Sequence, residues 1–225
     1  MTSAIIVAAG SSRRMGFNKL LAPLAGEPVL RRTLAVFQAC DAIDEIIVVT
    51  SDALRPEIDS WRTADTSTSL TKITQIITGG AERHLSVHAG LQALHPDCDI
   101  VAVHDGARPL ISVAQITRCV QAARTQAAVA CARPMTETLK RCDPTGRIID
   151  SIDRAHAWIM ETPQVFQRPL LVSAYDAVLR DSLLVTDEVS AVQHLGAPVF
   201  VVENFELNPK ITFPADILLA QRFVD

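Results

Sequence analysis

The sequence is short of several features that would decide its class at once. Its five cysteines, at 40, 98, 119, 131 and 142, include no C-x-x-C pair, which argues against a paired-thiol metal or redox site and fits reduced, structural thiols. No apolar run approaches the ~20 residues needed to span a bilayer. The first apolar stretch is only a few residues long and runs into a charged loop, unlike the apolar region of a signal peptide. A cytoplasmic protein with no membrane partner is the expectation. Surplus positive charge is missing too. With 21 Lys and Arg against 25 Asp and Glu, the formal net charge is −4, so nucleic acid is not an expected partner and any affinity for polyanions must be local. There is no internal repeat, no low-complexity segment, and no evident Ser/His/Asp or Cys/His constellation for nucleophilic catalysis.

What is present is an alternation. At 225 residues, about half of them apolar, the chain can bury a sizeable core. Short β-branched runs predict strands over 4–9, 45–50, 73–78, 99–104 and 127–132, with amphipathic helices over 28–39, 54–62, 82–94 and 113–124 between them. Continuous apolar strands separated by helices imply an α/β fold with a mostly parallel sheet and helices on both faces. The rhythm breaks after residue 132. Two strand-like runs between 137 and 153 flank Asp143-Pro144-Thr145-Gly146, a strong turn signal, and predict a hairpin arm outside the main sheet. A strand at Val165 and Phe166, helices over 170–180 and 187–194, a strand over 199–202 and a last helix from Pro214 complete the expectation, read as one domain over residues 1–225. Phe37, Trp61 and Trp158 read as packing residues.

Three loops stand out. The first strand ends in AAGSSRRMGFNK, residues 8–19, which gathers Arg13, Arg14 and Lys19 without an acid. In an open α/β sheet, ligands bind beyond the carboxyl ends of the strands, where freed N–H groups and cations can hold a polyphosphate. It is neither a G-x-x-x-x-G-K-[ST] loop nor a G-x-G-x-x-G loop: five residues separate Gly10 from Gly16, and position 12 is serine. A second strand ends in His104-Asp105 before Gly106-Ala107-Arg108-Pro109, and an aspartate there would face the same crevice with a hard oxygen suited to Mg²⁺. A third, TGGAERHLSV, places Gly79 and Gly80 where close backbone approach is possible. His84 and His88 stand at i,i+4, but the H-E-x-x-H glutamate is absent and no third ligand is apparent, so zinc is not expected.

These blocks carry a resemblance. A-A-G-x-x-x-R-M with a following Lys, G-G-x-E-R-x-x-S-V, H-D-x-A-R-P, T-x-K-R, D-R near 153, T-P-Q at 162, T-D-E-x-S-A and N-x-K-I-T at 208 occur in an order that resembles the 2-C-methyl-D-erythritol 4-phosphate cytidylyltransferases, across essentially the whole chain. The resemblance implies a Rossmann-like domain, a dimerisation β-arm at about 135–159, a homodimer, and condensation of CTP with methylerythritol phosphate using Mg²⁺. It implies that Ala8, Ala9, Gly10, Gly80 and Ser86 bind the nucleotide, with Arg83 supporting that loop. Arg14, Lys19 and Lys210 match catalytic, phosphate-clamping cations, and Asp105 the metal-site acid of the nucleotide pocket. Thr138, Arg154, Thr162 and Thr186 match positions around the second substrate, with Glu206 in place of an absent acid.

The chain departs from the family at Ala81, where aspartate is usual, and at Leu207 and Pro209, where D-N-I-K is usual. The implied chemistry suits the residues. A phosphate monoester, with a second pKa near ~6, is already ionised at neutral pH and needs no general base. The task is to bring two anions together, which calls for cations and a metal. Two alternatives are the same transfer to another alditol phosphate, such as ribitol 5-phosphate, and a non-catalytic nucleotide-binding regulator.

Overall fold

A computed structural model of the chain describes residues 1–10, 16–63 and 68–224. In chain order its elements are β1 (Thr2–Ala8), β2 (Pro23–Leu24), β3 (Glu27–Pro28), α1 (Val29–Ala39), β4 (Glu45–Thr50), α2 (Arg55–Thr63), β5 (Ile73–Thr78), α3 (Arg83–Gln92) and β6 (Ile100–Asp105). There follow α4 (Val113–Gln126), β7 (Ala128–Pro134), β8 (Leu139–Cys142), β9 (Ile148–Ile152), β10 (Trp158–Gln167), α5 (Arg168–Arg180), α6 (Glu188–His194), β11 (Phe200–Glu203) and α7 (Pro214–Gln221).

Seven strands form one sheet in the order β11-β7-β10-β6-β1-β4-β5. β1, β4, β5 and β6 run parallel, as does β11 with β7. The period of two sorts side chains to opposite faces. Ala4, Ile6 and Ala8 of β1 join the core beneath α1, α2, α4 and α7, while Ile5 joins the core beneath α3, α5 and α6. Both faces are therefore covered, as the continuous apolar strands require. Phe37 and Trp61 lie in that core, whereas Trp158 is 38 % exposed, so the packing expected of it is not found.

Helix starts follow local chemistry. The Ser112 hydroxyl accepts from Gln115 N at the head of α4, and the Asp187 carboxylate accepts from Ser190 N at the head of α6. Pro169 stands in the first turn of α5, where the missing N–H costs nothing.

The principal difference from expectation is β10. The sequence reading placed a short strand at Val165 and Phe166, but β10 starts at Trp158 and runs antiparallel to both β6 and β7. This reversal places its first half beyond the carboxyl end of β6, with Gln164 opposite Val103 and Thr162 already beside Asp105. The expected hairpin arm is present. Among the described residues β8 and β9 pair only with each other, and the Asp143 carboxylate accepts from Thr145 N and Arg147 N within the turn. Gly146 adopts φ +87° there, a conformation that favours glycine. Ile148 and Ile149 on the arm are 62 % and 52 % exposed.

Candidate active site

The carboxyl ends of β1, β5 and β6 come together on one edge of the sheet, with Gly106 N on the Val7 carbonyl and Gly79 against Ala9. Gly79 follows β5 with its N–H on the Thr50 carbonyl at 2.8 Å. A Cβ at this position would lie 2.3 Å from the Ala9 Cβ and 2.8 Å from the Ser86 Oγ. The close approach foreseen at the glycine pair is thus, at Gly79, an approach of two protein segments to each other. Gly80 donates its N–H to the Ser86 Oγ at 3.1 Å, and that hydroxyl donates to the Glu82 carbonyl at 3.2 Å, fixing the loop on the first turn of α3. Ala8 is buried, and Gly10 and Ala81 are exposed.

Asp105 ends β6 and is 7 % exposed. Lys210 Nζ lies 2.9 Å from its Oδ2, Arg108 Nε 3.5 Å from Oδ2, and Arg83 Nε 3.3 Å from Oδ1. Burial alone would raise the Asp105 pKa, but Arg83, Lys210 and Arg108 outweigh it and hold the carboxyl well below the usual carboxylate range. Asp105 is therefore an anion throughout the physiological range. Arg83 is itself gripped by a second carboxylate: its Nη1 and Nη2 donate to Glu188 Oε1 and Oε2 at 2.6 and 3.1 Å, and the Tyr175 hydroxyl donates to Oε1 at 3.0 Å. Burial opposes the Arg83 charge, yet Glu188 and Asp105 raise its pKa further.

Lys19 reaches the same place. Its Nζ donates to the Ile211 carbonyl at 2.7 Å, one residue beyond Lys210. Ile211 N donates to the Ala107 carbonyl at 2.8 Å, and Arg108 Nη1 to the Asn208 carbonyl at 2.7 Å. The 208–211 segment is thereby tied to the turn that follows β6, and sequence positions 19, 83, 105, 108 and 210 form one cluster. Arg14, like Ser11, Ser12 and Arg13, lies outside the described residues.

The residues matched to a second substrate divide into two groups. Thr162 is buried, its Oγ1 accepting from Asp105 N at 3.1 Å and meeting His104 Nδ1 at 3.0 Å. Thr138, Arg154, Thr186 and Glu206 are exposed. Arg154 donates to the Thr136 carbonyl, which bends it back toward the chain segment that carries Thr138. Thr186 precedes the α6 cap. Glu206 donates its backbone N–H to Asn204 Oδ1.

Sequence reading missed a layer of buried polar residues beneath this cluster. Glu161, 3 % exposed, accepts from Asn204 Nδ2 at 2.9 Å and Asn208 Nδ2 at 3.2 Å, with Arg133 Nε at 3.4 Å. Gln164 Oε1 accepts from the N–H groups of Glu188 and Val189, and its Nε2 donates to Asp187. A polar side chain inside an apolar strand was the available signal. His84 and His88 do lie on α3, but among the described residues no group of three His, Cys, Asp or Glu could hold a metal ion.

The family model for 2-C-methyl-D-erythritol 4-phosphate cytidylyltransferase matches residues 2–225. The 2-C-methyl-D-erythritol 4-phosphate cytidylyltransferase of Symbiobacterium thermophilum is 40% identical over 99% of this chain and 92% of its own length. That of Caldanaerobacter subterraneus is 39% identical over 99% and 98%. Among solved structures, the 4-diphosphocytidyl-2C-methyl-D-erythritol synthase of Anaerococcus prevotii superposes with a TM-score of 0.84 at 30% identity, covering 99% of this chain and 97% of that one.

Proposed function

Because the chain belongs to the 2-C-methyl-D-erythritol 4-phosphate cytidylyltransferase family, we propose that the Asp105 crevice is its reaction centre. The enzyme transfers the cytidylyl group of CTP to 2-C-methyl-D-erythritol 4-phosphate, giving 4-diphosphocytidyl-2-C-methyl-D-erythritol and pyrophosphate. A phosphate oxygen of the second substrate attacks the α-phosphorus of CTP, and the bond from that phosphorus to the β-phosphate oxygen breaks. The attacking oxygen is already ionised, so no side chain has to remove a proton.

The observation that carries the reading is the convergence of Lys210, Arg108 and Arg83 on the Asp105 carboxylate, with Lys19 on the adjoining Ile211 carbonyl. In the proposed roles, Lys19, Lys210 and Arg14 stabilise charge on the transferring phosphoryl group. Ala8, Ala9, Gly10, Gly80 and Ser86 hold the nucleotide, and Arg83, committed to Glu188, orients Asp105. Thr138, Arg154, Thr186 and Glu206 face the second substrate. Residues from about 135 to 159 are read as a dimerisation arm on a single domain, because an isolated two-stranded hairpin is only marginally stable in water and this one exposes three isoleucines, Ile148, Ile149 and Ile152.

The donor set fits Mg²⁺. Asp105 offers a hard oxygen kept anionic, and Mg²⁺ is normally held by one or two carboxylates plus substrate phosphates, not by an all-protein cage. Bound with the CTP phosphates, the ion supplies charge neutralisation there. Asp105→Asn tests this. It should cut turnover by ~10–100-fold and raise the Mg²⁺ concentration for half-maximal rate. Unchanged activity and metal dependence would remove Asp105 from the metal role.

A further inference from the structure

We infer that Thr162 is a positioning residue for Asp105 and Arg108, acting partly through His104, and not a contact for the second substrate. The inference rests on the reading of Asp105 given above. Three bonds define the role. The Thr162 hydroxyl accepts from Asp105 N at 3.1 Å and meets His104 Nδ1 at 3.0 Å, while the Thr162 carbonyl accepts from Asn208 Nδ2 at 2.9 Å. On the far side of the ring, His104 Nε2 lies 3.2 Å from the Arg108 carbonyl.

The directions of these bonds follow from the groups. A carbonyl only accepts, so Nε2 carries the ring hydrogen. In the neutral ring Nδ1 then accepts, and the Thr162 hydroxyl donates to it while receiving the Asp105 N–H. The chain runs from Asp105 N–H through the hydroxyl and the imidazole to the Arg108 carbonyl, with each donor matched to an acceptor. It brackets both ends of the turn that carries the carboxylate and Arg108, a turn also closed by Arg108 N on the Asp105 carbonyl at 3.0 Å. Phe37 packs against the imidazole with ring centroids 4.9 Å apart. Through Asn208, whose own carbonyl takes Arg108 Nη1, the same residue anchors the segment that brings Lys210 to Asp105. Thr162 is 4 % exposed and its one hydroxyl hydrogen is committed, which leaves it no donor for a substrate.

The test compares Thr162→Val, which keeps the shape and deletes the hydroxyl, with Thr162→Ser, which keeps the hydroxyl. Pyrophosphate release is followed while CTP, methylerythritol phosphate and Mg²⁺ are varied in turn. The valine variant should lose ~10–100-fold in kcat and need more Mg²⁺, with KM for methylerythritol phosphate changed by less than about twofold, because no ground-state contact to that substrate is removed. The serine variant should recover most of the rate. Nitrogen NMR of the wild-type enzyme should show His104 as the neutral tautomer protonated at Nε2, a reading that does not depend on how the variants fold. A ring protonated at Nδ1, a serine variant as impaired as the valine one, or a valine variant with normal kcat and a raised KM for methylerythritol phosphate would each overturn the inference. The tautomer reports the hydrogen-bonded chain alone, whereas failure of the Asp105 reading shows separately as normal activity in Asp105→Asn.

Discussion

Gly79→Ala applies a small steric load at the tightest point of the crevice. The added Cβ would stand 2.3 Å from the Ala9 Cβ and 2.8 Å from the Ser86 Oγ. Carbon atoms settle at ~3.5–4.0 Å, so the segments ending β1 and β5 would have to separate by about 1.2–1.7 Å. The Ser86 hydroxyl can rotate only by giving up its bonds to Gly80 N and the Glu82 carbonyl, the Ala9 methyl cannot move aside at all, and Gly79 is held from behind by its N–H on Thr50. Overpacking of this kind costs ~1–3 kcal/mol of stability. A displacement of ~1 Å between groups that hold a substrate can cost ~10²-fold in rate. Thermal unfolding and initial rates of pyrophosphate release against CTP concentration measure the two effects. The companion variant is the double change Ala9→Gly/Gly79→Ala, which removes the methyl at the 2.3 Å contact and leaves only the movable Ser86 contact. It should recover most of kcat/KM for CTP, a coupling expected only of residues that touch. A Gly79→Ala enzyme with wild-type Tm and KM for CTP, or a double variant no better than the single one, would refute the steric reasoning.

Other outcomes follow from different parts of the molecule. If the arm completes the partner's site, mixing inactive Lys19→Ala chains with inactive Arg154→Ala chains under subunit exchange should restore activity. One site of each mixed dimer then carries both lesions and the other carries none, whereas self-sufficient chains would leave the mixture inactive. His104 gives a pH signature. Burial holds its pKa down to about 3, against ~6.5 in an unfolded chain, so the unfolded state takes up a proton that the folded state refuses. Its contribution is present in full above about pH 6.5 and falls by ~1.4 kcal/mol per unit as the pH drops toward 3. Urea unfolding at several pH values should therefore show a shallower acid loss in His104→Gln, and an unchanged slope would contradict the assignment.

The first two-thirds of the sheet was legible in the sequence because β1, β4 and β6 are buried on both faces and read as unbroken apolar runs between amphipathic helices. The arm was legible through Asp143-Pro144-Thr145-Gly146, whose turn chemistry is local. β10 was not, because its first seven residues, Trp158 to Gln164, run from one exposed position through two half-buried ones to a stretch with buried polar residues, and nothing local marks an antiparallel strand inserted between parallel neighbours. Lys19, Asp105 and Lys210 could be named from motifs. Their convergence could not, since it depends on Ile211 N meeting the Ala107 carbonyl across the fold. Glu161, Gln164, Asn204 and Asn208 have the residue types of a surface, and only tertiary structure supplies the partners that allow them to be buried. Thr162 was matched to the second substrate by its motif, and its hydrogen bonds to His104 and Asp105 are tertiary contacts that a motif does not show.

The reaction proposed at Asp105 depends most directly on two ammonium groups: Lys210 on the Asp105 carboxylate and Lys19 on the neighbouring Ile211 carbonyl. Pyrophosphate release from CTP and methylerythritol phosphate, both saturating, should be measured for Lys19→Ala and Lys210→Ala beside thermal unfolding. Loss of one donor that stabilises the transferring group is expected to lower kcat by ~10²–10³-fold, with Tm close to that of the wild-type protein. Near-normal kcat in both variants would contradict the placement of the reaction at the Asp105 crevice.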